Sequence, residues 1–457
     1  MAERIERDSL GDVRIPADAL WGPQTQRAVD NFPISGPMPA PFIRALAQVK
    51  WGAAAANAEL GLLPGDKAAA IQAAAAAIAD GAHAEAFPVD VFQTGSGTSS
   101  NMNMNEVIAH LCQQQGVAVH PNDDVNLGQS SNDSVPTALH LAAADSLKDG
   151  VLPALSALMQ QLDKRAGEWA DVVKTGRTHL MDAMPLTLGQ ELSGWVAQLQ
   201  FAERQLQQSY EAVLSVPQGG TAVGTGINAD PDFAARFAAA LAQRSGHPLQ
   251  PLASPFSGQS ALDRPLSVSA ALRALAVVLM KICNDLRWMN SGPIHGLAEI
   301  QLPAVQPGSS IMPGKVNPVV CESVCMIAAQ TMGLDQANVI AAQSGNFQLN
   351  VMMPLMAANL VQMAGYLERG MGILVPMLAG MQANREHLAE TVARNPVLVT
   401  ALNPVIGYEK AADIAKEAFR TGRPVLEVAR EYTDLDDQVL RQLLDPEQLT
   451  HGGIQAQ

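Results

Sequence analysis

Apolar residues recur along most of this chain at the spacing of helix faces. Leu188, Leu192, Trp195, Leu199, Ala202, Leu206 and Val213 keep a four-three rhythm that draws one apolar seam along a helix. Such a seam needs helical partners. Comparable patterns over 134–163, 260–290, 318–342 and 354–384 predict a bundle of long helices in the middle of the chain, and little reads as a strand. The expected fold is therefore mainly all-α, with a long central helical bundle flanked by smaller N- and C-terminal domains. Residues 1–133, richer in Gly, Pro and Asn, form the first domain and 134–391 the bundle. Residues 392–457, punctuated by Asn395-Pro396 and Asn403-Pro404, form a short helical third domain. No internal repeat is visible.

Composition narrows the partners. Aromatic residues make up only 4% while alanine, leucine, glutamine and methionine abound, as helix formers should. A formal net charge of -15 gives a surface that repels nucleic acid and anionic membrane, so neither is expected as a partner. An anionic substrate would need a locally positive pocket. The start "MAERIERDSLG" lacks the apolar core of a secretory signal, and no uninterrupted apolar run reaches membrane-spanning length, so the cytoplasm is the expected location. Cys321 and Cys325 stand one helical turn apart, but no second Cys or His pair completes a tetrahedron, and the nine histidines show no metal-ligand spacing. No metal is expected.

The polar loops fall ahead of helical runs. "QTGSGTSSNMNMNE" places Ser and Asn before one such run, "GQSSNDSVP" precedes another, and "MPLTLGQE" carries a capping box from Thr187 to Gln190. Asn317-Pro318 reads as a further helix start. Each alone is an ordinary cap. Four together offer unpaired N–H groups and partial positive charge to a small carboxylate.

Two glycine-rich stretches invite a nucleotide reading. In "PGSSIMPGKVNP" five residues separate Gly308 from Gly314 and Val316 follows Lys315, whereas a phosphate loop needs four and a Ser or Thr after its lysine. Pro313 also removes an N–H from the would-be cradle. Another anion is implied. Gly224 to Ala229 in "GGTAVGTGIN" nominally fits a dinucleotide fingerprint, but no preceding strand or β-α-β setting is visible, and the glycines read as loop formers.

The string "GSSIMPGKVNP" resembles the signature loop of the fumarase and aspartase superfamily. "TGSGTSSNMNMNEV", "HPNDDVNLGQSSND", "GRTHLMDAMPLTLGQE", "GGTAVGTGIN" and "GNFQLNVMMP" follow in the order of that superfamily, and the likeness covers nearly the whole chain. "HPNDDVN" and the Ser-Ser-Asn of "QSSND" are similar to class II fumarases, where aspartases more often show Ser-Thr-Asn. The resemblance implies interconversion of malate and fumarate in the tricarboxylic acid cycle, without metal or organic cofactor, by a homotetramer whose active sites are shared between subunits. Aspartate ammonia-lyase, or a non-catalytic structural or binding protein of the same fold, is the alternative.

The resemblance also implies roles. Ser309 would be the base, with the alternative of a simple turn residue, while Ser310, Lys315 and Asn317 would bind substrate. His179 would assist departure of hydroxide, oriented by Glu322; taken alone, a histidine beside an apolar run is more often a structural residue. Ser96, Thr98, Ser130, Ser131, Asn132 and Thr178 match positions that bind the dicarboxylate. His120, Asn122 and Asp123 match a second dicarboxylate site near the surface. Which of Ser309 and His179 moves which proton is left open by the letters.

Overall fold

The computed structural model describes residues 2–453, and these are mostly helical. They form two compact units. One comprises the segment up to Pro153 with Ala202–Ala276 and Ile327–Arg369; the other comprises Ala154–Phe201, Val277–Met326 and the segment from Gly370 onward.

The seam predicted from Leu188 to Val213 is a helix over Leu188–Val213, and all seven of its apolar positions are buried. The other long patterns become helices Asp263–Met289, Val319–Gln343 and Met353–Gly380. The stretch 134–163 differs from expectation. It is two helices, Ser131–Asp145 and Leu152–Glu168, joined by a π-helical turn over Ser146–Val151. Pro153 has no N–H to offer the carbonyl of Asp149 and its ring crowds that carbonyl, which widens the preceding turn. Helix Asp263–Met289 is long and apolar enough to cross a membrane by composition, yet half of its apolar window is buried inside the protein, as in a core helix.

In the first unit, alanine-rich helix Ala40–Glu59 packs against Gly65–Ala79, Phe233–Ser245 and Ser131–Asp145. Small side chains let these axes approach closely. A hairpin of Glu3–Asp8 with Gly11–Pro16 was not visible in the sequence pattern, because only Val13 and Ile15 carry its buried alternation.

In the second unit, strands Val173–Thr178 and Met181–Thr187 form an antiparallel hairpin, also unforeseen, since "VKTGRT" offers little apolar alternation. Helix Leu188–Val213 follows directly. Its start is the expected capping box: Gln190 N–H donates to Thr187 Oγ1 at 3.0 Å and Thr187 N–H donates to Gln190 Oε1 at 2.9 Å. The C-terminal helices enclose a core of their own built on Leu398, Leu402, Ile414, Val428 and Leu440. Asn395 caps its first turn, accepting from Val397 N–H at 2.9 Å, and ties it to the hairpin by donating to Ala183 O at 2.8 Å.

Candidate active site

The first unit gathers a chain of hydroxyls at two helix N-termini. Ser96 Oγ lies 2.8 Å from Thr98 Oγ1, which lies 2.7 Å from Ser131 Oγ. Thr98 opens helix Thr98–Gln114 and Ser131 opens Ser131–Asp145, so these hydroxyls stand at the positive ends of two helices. At Ser131–Asp145 the expected cap is present, a box in which Ser130 Oγ accepts from Asn132 N–H and Ser130 N–H donates to Asp133. At Thr98–Gln114 it is not. The cap is Gly97 in the left-handed region (φ 75°), and Ser99, Ser100 and Asn101 already belong to the helix. Gln93 Oε1 serves that end instead, accepting from both Ser100 N–H and Ser100 Oγ at 2.9 Å.

Glycine shapes this cluster. A Cβ on Gly95 would fall 1.8 Å from Val351 O, so only glycine lets the turn lie against that backbone. The segment "GGTAVGTGIN" supports the cluster from behind: Asn132 Nδ2 donates to Ala222 O, and Gly219 and Thr221 N–H donate to Asp133. A two-residue strand, Ser215–Val216, does precede it and pairs in parallel with Gln250–Pro251. The intervening helix opens only at Phe233, well past Gly226, so the glycine turn does not lead into a helix N-terminus as a dinucleotide site requires.

His120, Asn122 and Asp123 lie apart from those hydroxyls in sequence, exposed on or beside a π-helical turn over Pro121–Val125. His120 Nδ1 accepts from Asp123 N–H at 3.1 Å. Lys67 lies nearby but is paired with Asp124 at 2.8 Å.

In the second unit the signature loop closes on itself. Gly308 N–H donates to Lys315 O at 2.8 Å, and Asn317 Nδ2 donates to Gly308 O at 2.8 Å. Asn317 Nδ2 thus helps shut the loop just ahead of helix Val319–Gln343, which begins close to the expected start. Inside the loop, Ser309 Oγ accepts from Ile311 N–H at 3.2 Å and Met312 N–H at 3.1 Å. Two N–H dipoles aimed at one hydroxyl oxygen favour negative charge on it. Ser310 and Lys315 are exposed. Lys315, Asn317 and Glu322 line a cavity of about 900 Å³ together with Asn284, Arg287 and Asn290.

Thr178 and His179 are presented by the hairpin. Thr178 pairs with Met181, so His179 and Leu180 form a two-residue turn with φ values of 56° and 62°. A turn with two left-handed residues is normally Asn-Gly. Histidine and leucine there cost roughly 1 kcal/mol or more each, strain of the kind kept at functional sites. Below the turn, Arg177 Nη1 donates to Glu299 Oε1 at 2.7 Å, and Lys174 donates to Glu191 at 2.7 Å while pairing as an ion with Glu299 at 2.7 Å. Lys174 and Glu299 are almost fully buried, so this charge cluster fixes the hairpin from which His179 projects. Sequence reasoning passed over Lys174, Arg177, Glu191 and Glu299. Within one chain, among the described residues, no hydrogen bond or ion pair links His179 to Glu322.

Comparison with known proteins identifies the family. Residues 11–333 match the family described as Lyase, and residues 398–451 match the family Fumarase C C-terminus. The Fumarate hydratase class II of Xylella fastidiosa is 54% identical over 454 residues, 99% of this chain and 96% of that protein. The Fumarate hydratase class II 2 of Pseudomonas aeruginosa is 52% identical over 454 residues, 99% of each chain. The crystal structure of recombinant class II fumarase from Schistosoma mansoni superposes with a TM-score of 0.96 at 36% identity, covering 98% of this chain and 99% of that one. The chain belongs to the lyases of the fumarase and aspartase superfamily and, within them, to the class II fumarate hydratases, which add water to fumarate to give malate.

Proposed function

We propose that this chain carries out fumarate hydration, and its reverse, with Ser309 as the base. In the dehydration of malate the Ser309 alkoxide takes the C3 proton and the C–H electrons spread onto the adjacent carboxylate. They then form the double bond as the C2–O bond breaks, and hydroxide leaves as water with a proton from His179. A proton beside a carboxylate is very weakly acidic, so the extra charge must be held. Lys315 and the N–H groups of its loop suit that task, with Ser310 and Asn317 completing the substrate contacts. The carrying observation is the pair of main-chain N–H groups on Ser309 Oγ. A serine is a poor base at its ordinary pKa, and these donors lower the cost of its alkoxide.

Ser96, Thr98, Ser130, Ser131, Asn132 and Thr178 hold the substrate carboxylates in this reading. His120, Asn122 and Asp123 form a second, exposed dicarboxylate site. Glu322 orients His179 across a subunit boundary, in a homotetramer whose sites each draw on several chains. Three domains, 1–133, 134–391 and 392–457, accompany this reading, and the separate core at Leu398 to Leu444 favours the last division. A reducing cytoplasm suits four free cysteines, of which Cys112, Cys283 and Cys321 are buried. The test is an absorbance assay at the fumarate band: rapid fumarate formation from malate and little from aspartate is expected, and faster formation from aspartate overturns the reading.

A further inference from the structure

Helix Ala40–Glu59 carries a lysine, Lys50, where its alanine neighbours are buried, and Lys50 itself is 0% exposed. An ammonium in such a place costs several kcal/mol unless its protons are well used. They are used on one short turn. Lys50 Nζ donates to Asn126 Oδ1 at 3.0 Å and to Gln129 Oε1 at 2.9 Å. Asn126 Oδ1 also accepts from Asn101 Nδ2 at 3.1 Å and Asn105 Nδ2 at 3.2 Å, so three donors converge on one oxygen. The turn is then closed from within: Asn126 Nδ2 donates to Gln129 O, and Gln129 Nε2 donates to Val125 O and Leu127 O.

Ser130 follows this turn directly. The countercharge to Lys50 is Asp133, also buried, whose carboxylate accepts from Ser130, Gly219 and Thr221 N–H. Lys50 and Asp133 therefore hold the start of helix Ser131–Asp145 from two sides, one through its entering turn and one through its capping box. Burial lowers the Lys50 ammonium to about 7 against the opposing pull of Asp133, a sign of how little water reaches it.

We propose that Lys50 is a positioning residue for substrate binding: it fixes the Asn126–Gln129 turn so that the Ser130 and Ser131 hydroxyls and the Asn132 side chain are held in a single arrangement. This rests on the reading that Ser130 to Asn132 hold a substrate carboxylate. Lys50 touches no substrate itself. Its loss loosens contacts made equally in the ground state and the transition state, which raises KM and spares kcat.

The experiment is steady-state kinetics with malate on Lys50→Met, Ser131→Ala and the double variant of the full-length enzyme, with thermal melting as a check of folding. Lys50→Met is expected to raise KM by roughly tenfold or more while kcat stays within about threefold. The double variant is expected to exceed the worse single KM by no more than about twofold, because both changes weaken the same contact. If Lys50→Met fails to fold, Lys50→Gln, which keeps one amide donor on a shorter stem, takes its place with the same KM reading. An unchanged KM in the folded Lys50 variant, with KM raised in Ser131→Ala, overturns the role of Lys50 alone. A kcat reduced only in proportion to lost folded protein does the same. An unchanged KM in Ser131→Ala removes the premise, and the proposal falls with it.

Discussion

Met312 N–H donates to Ser309 Oγ at 3.1 Å, joined by Ile311 N–H at 3.2 Å. The loop thus aims its own backbone at the one oxygen that the proposed chemistry needs negative. That geometry depends on close approach elsewhere in the loop, where Gly308 meets Lys315 and Asn317.

Gly308 sits where a Cβ would fall 2.4 Å from Lys315 O and 2.9 Å from Asn317 N. Backbone atoms cannot yield as a flexible side chain would. Gly308→Ala is therefore expected to open the loop and lower kcat by roughly tenfold or more, since misplacing reacting groups by about 1 Å is costly. The loop is exposed at Ser310 to Val316, so the melting temperature should move little. Wild-type kinetics from Gly308→Ala would show that the closed loop is not the working one.

Stability in acid should depend on His140. Burial lowers its pKa to about 4 from an ordinary value near 6.5, and its Nδ1–H donates to Ser215 O at 2.9 Å. The unfolded chain binds this proton in that window and the folded chain does not. The contribution is thus fully present above about pH 6.5 and is lost as pH falls toward 4, on the order of 3 kcal/mol in all. Denaturant melts across that range should show a shallower acid decline in His140→Asn, which keeps a donor near Nδ1 without the titration. Parallel declines in the two proteins would contradict this.

The proposal that the site is shared between chains makes a separate prediction. His179→Asn and Ser309→Ala chains, each inactive alone, are expected to regain activity when co-expressed or unfolded and refolded together. Some pockets of a mixed assembly would then draw an intact histidine loop and an intact serine loop from different variants. Differently tagged chains that purify together yet stay as inactive as their parents would place the site within one chain.

The helices and their caps were legible because they depend on near neighbours. Leu188 to Val213 announces its seam, and Thr187 with Gln190, or Ser130 with Asp133, announces a start within a few residues. The features that escaped depend on distant partners or on strain. Lys50 reads as a stray charge in an alanine-rich helix until Asn126 and Gln129, far along the chain, are brought to it. That stray charge was itself a signal, since a buried lysine implies fixed acceptors. Asn317 reads only as a helix start, and nothing local announces that its amide also reaches Gly308 O across the loop. His179 and Leu180 occupy a turn that their residue types disfavour, so local propensity argued against the hairpin that presents them.

The central claim is that Ser309 removes the C3 proton, and exchange of that proton with solvent tests it most directly. Malate incubated in deuterium oxide with wild-type enzyme should acquire deuterium at C3, followed by proton NMR. With Ser309→Ala, both exchange and fumarate formation are expected to fall by roughly a hundredfold or more, the usual contribution of a proton-transfer group. Malate binding, measured by calorimetry, should stay within a modest factor. Exchange at the wild-type rate in Ser309→Ala would contradict the account and return Ser309 to the role of a turn residue.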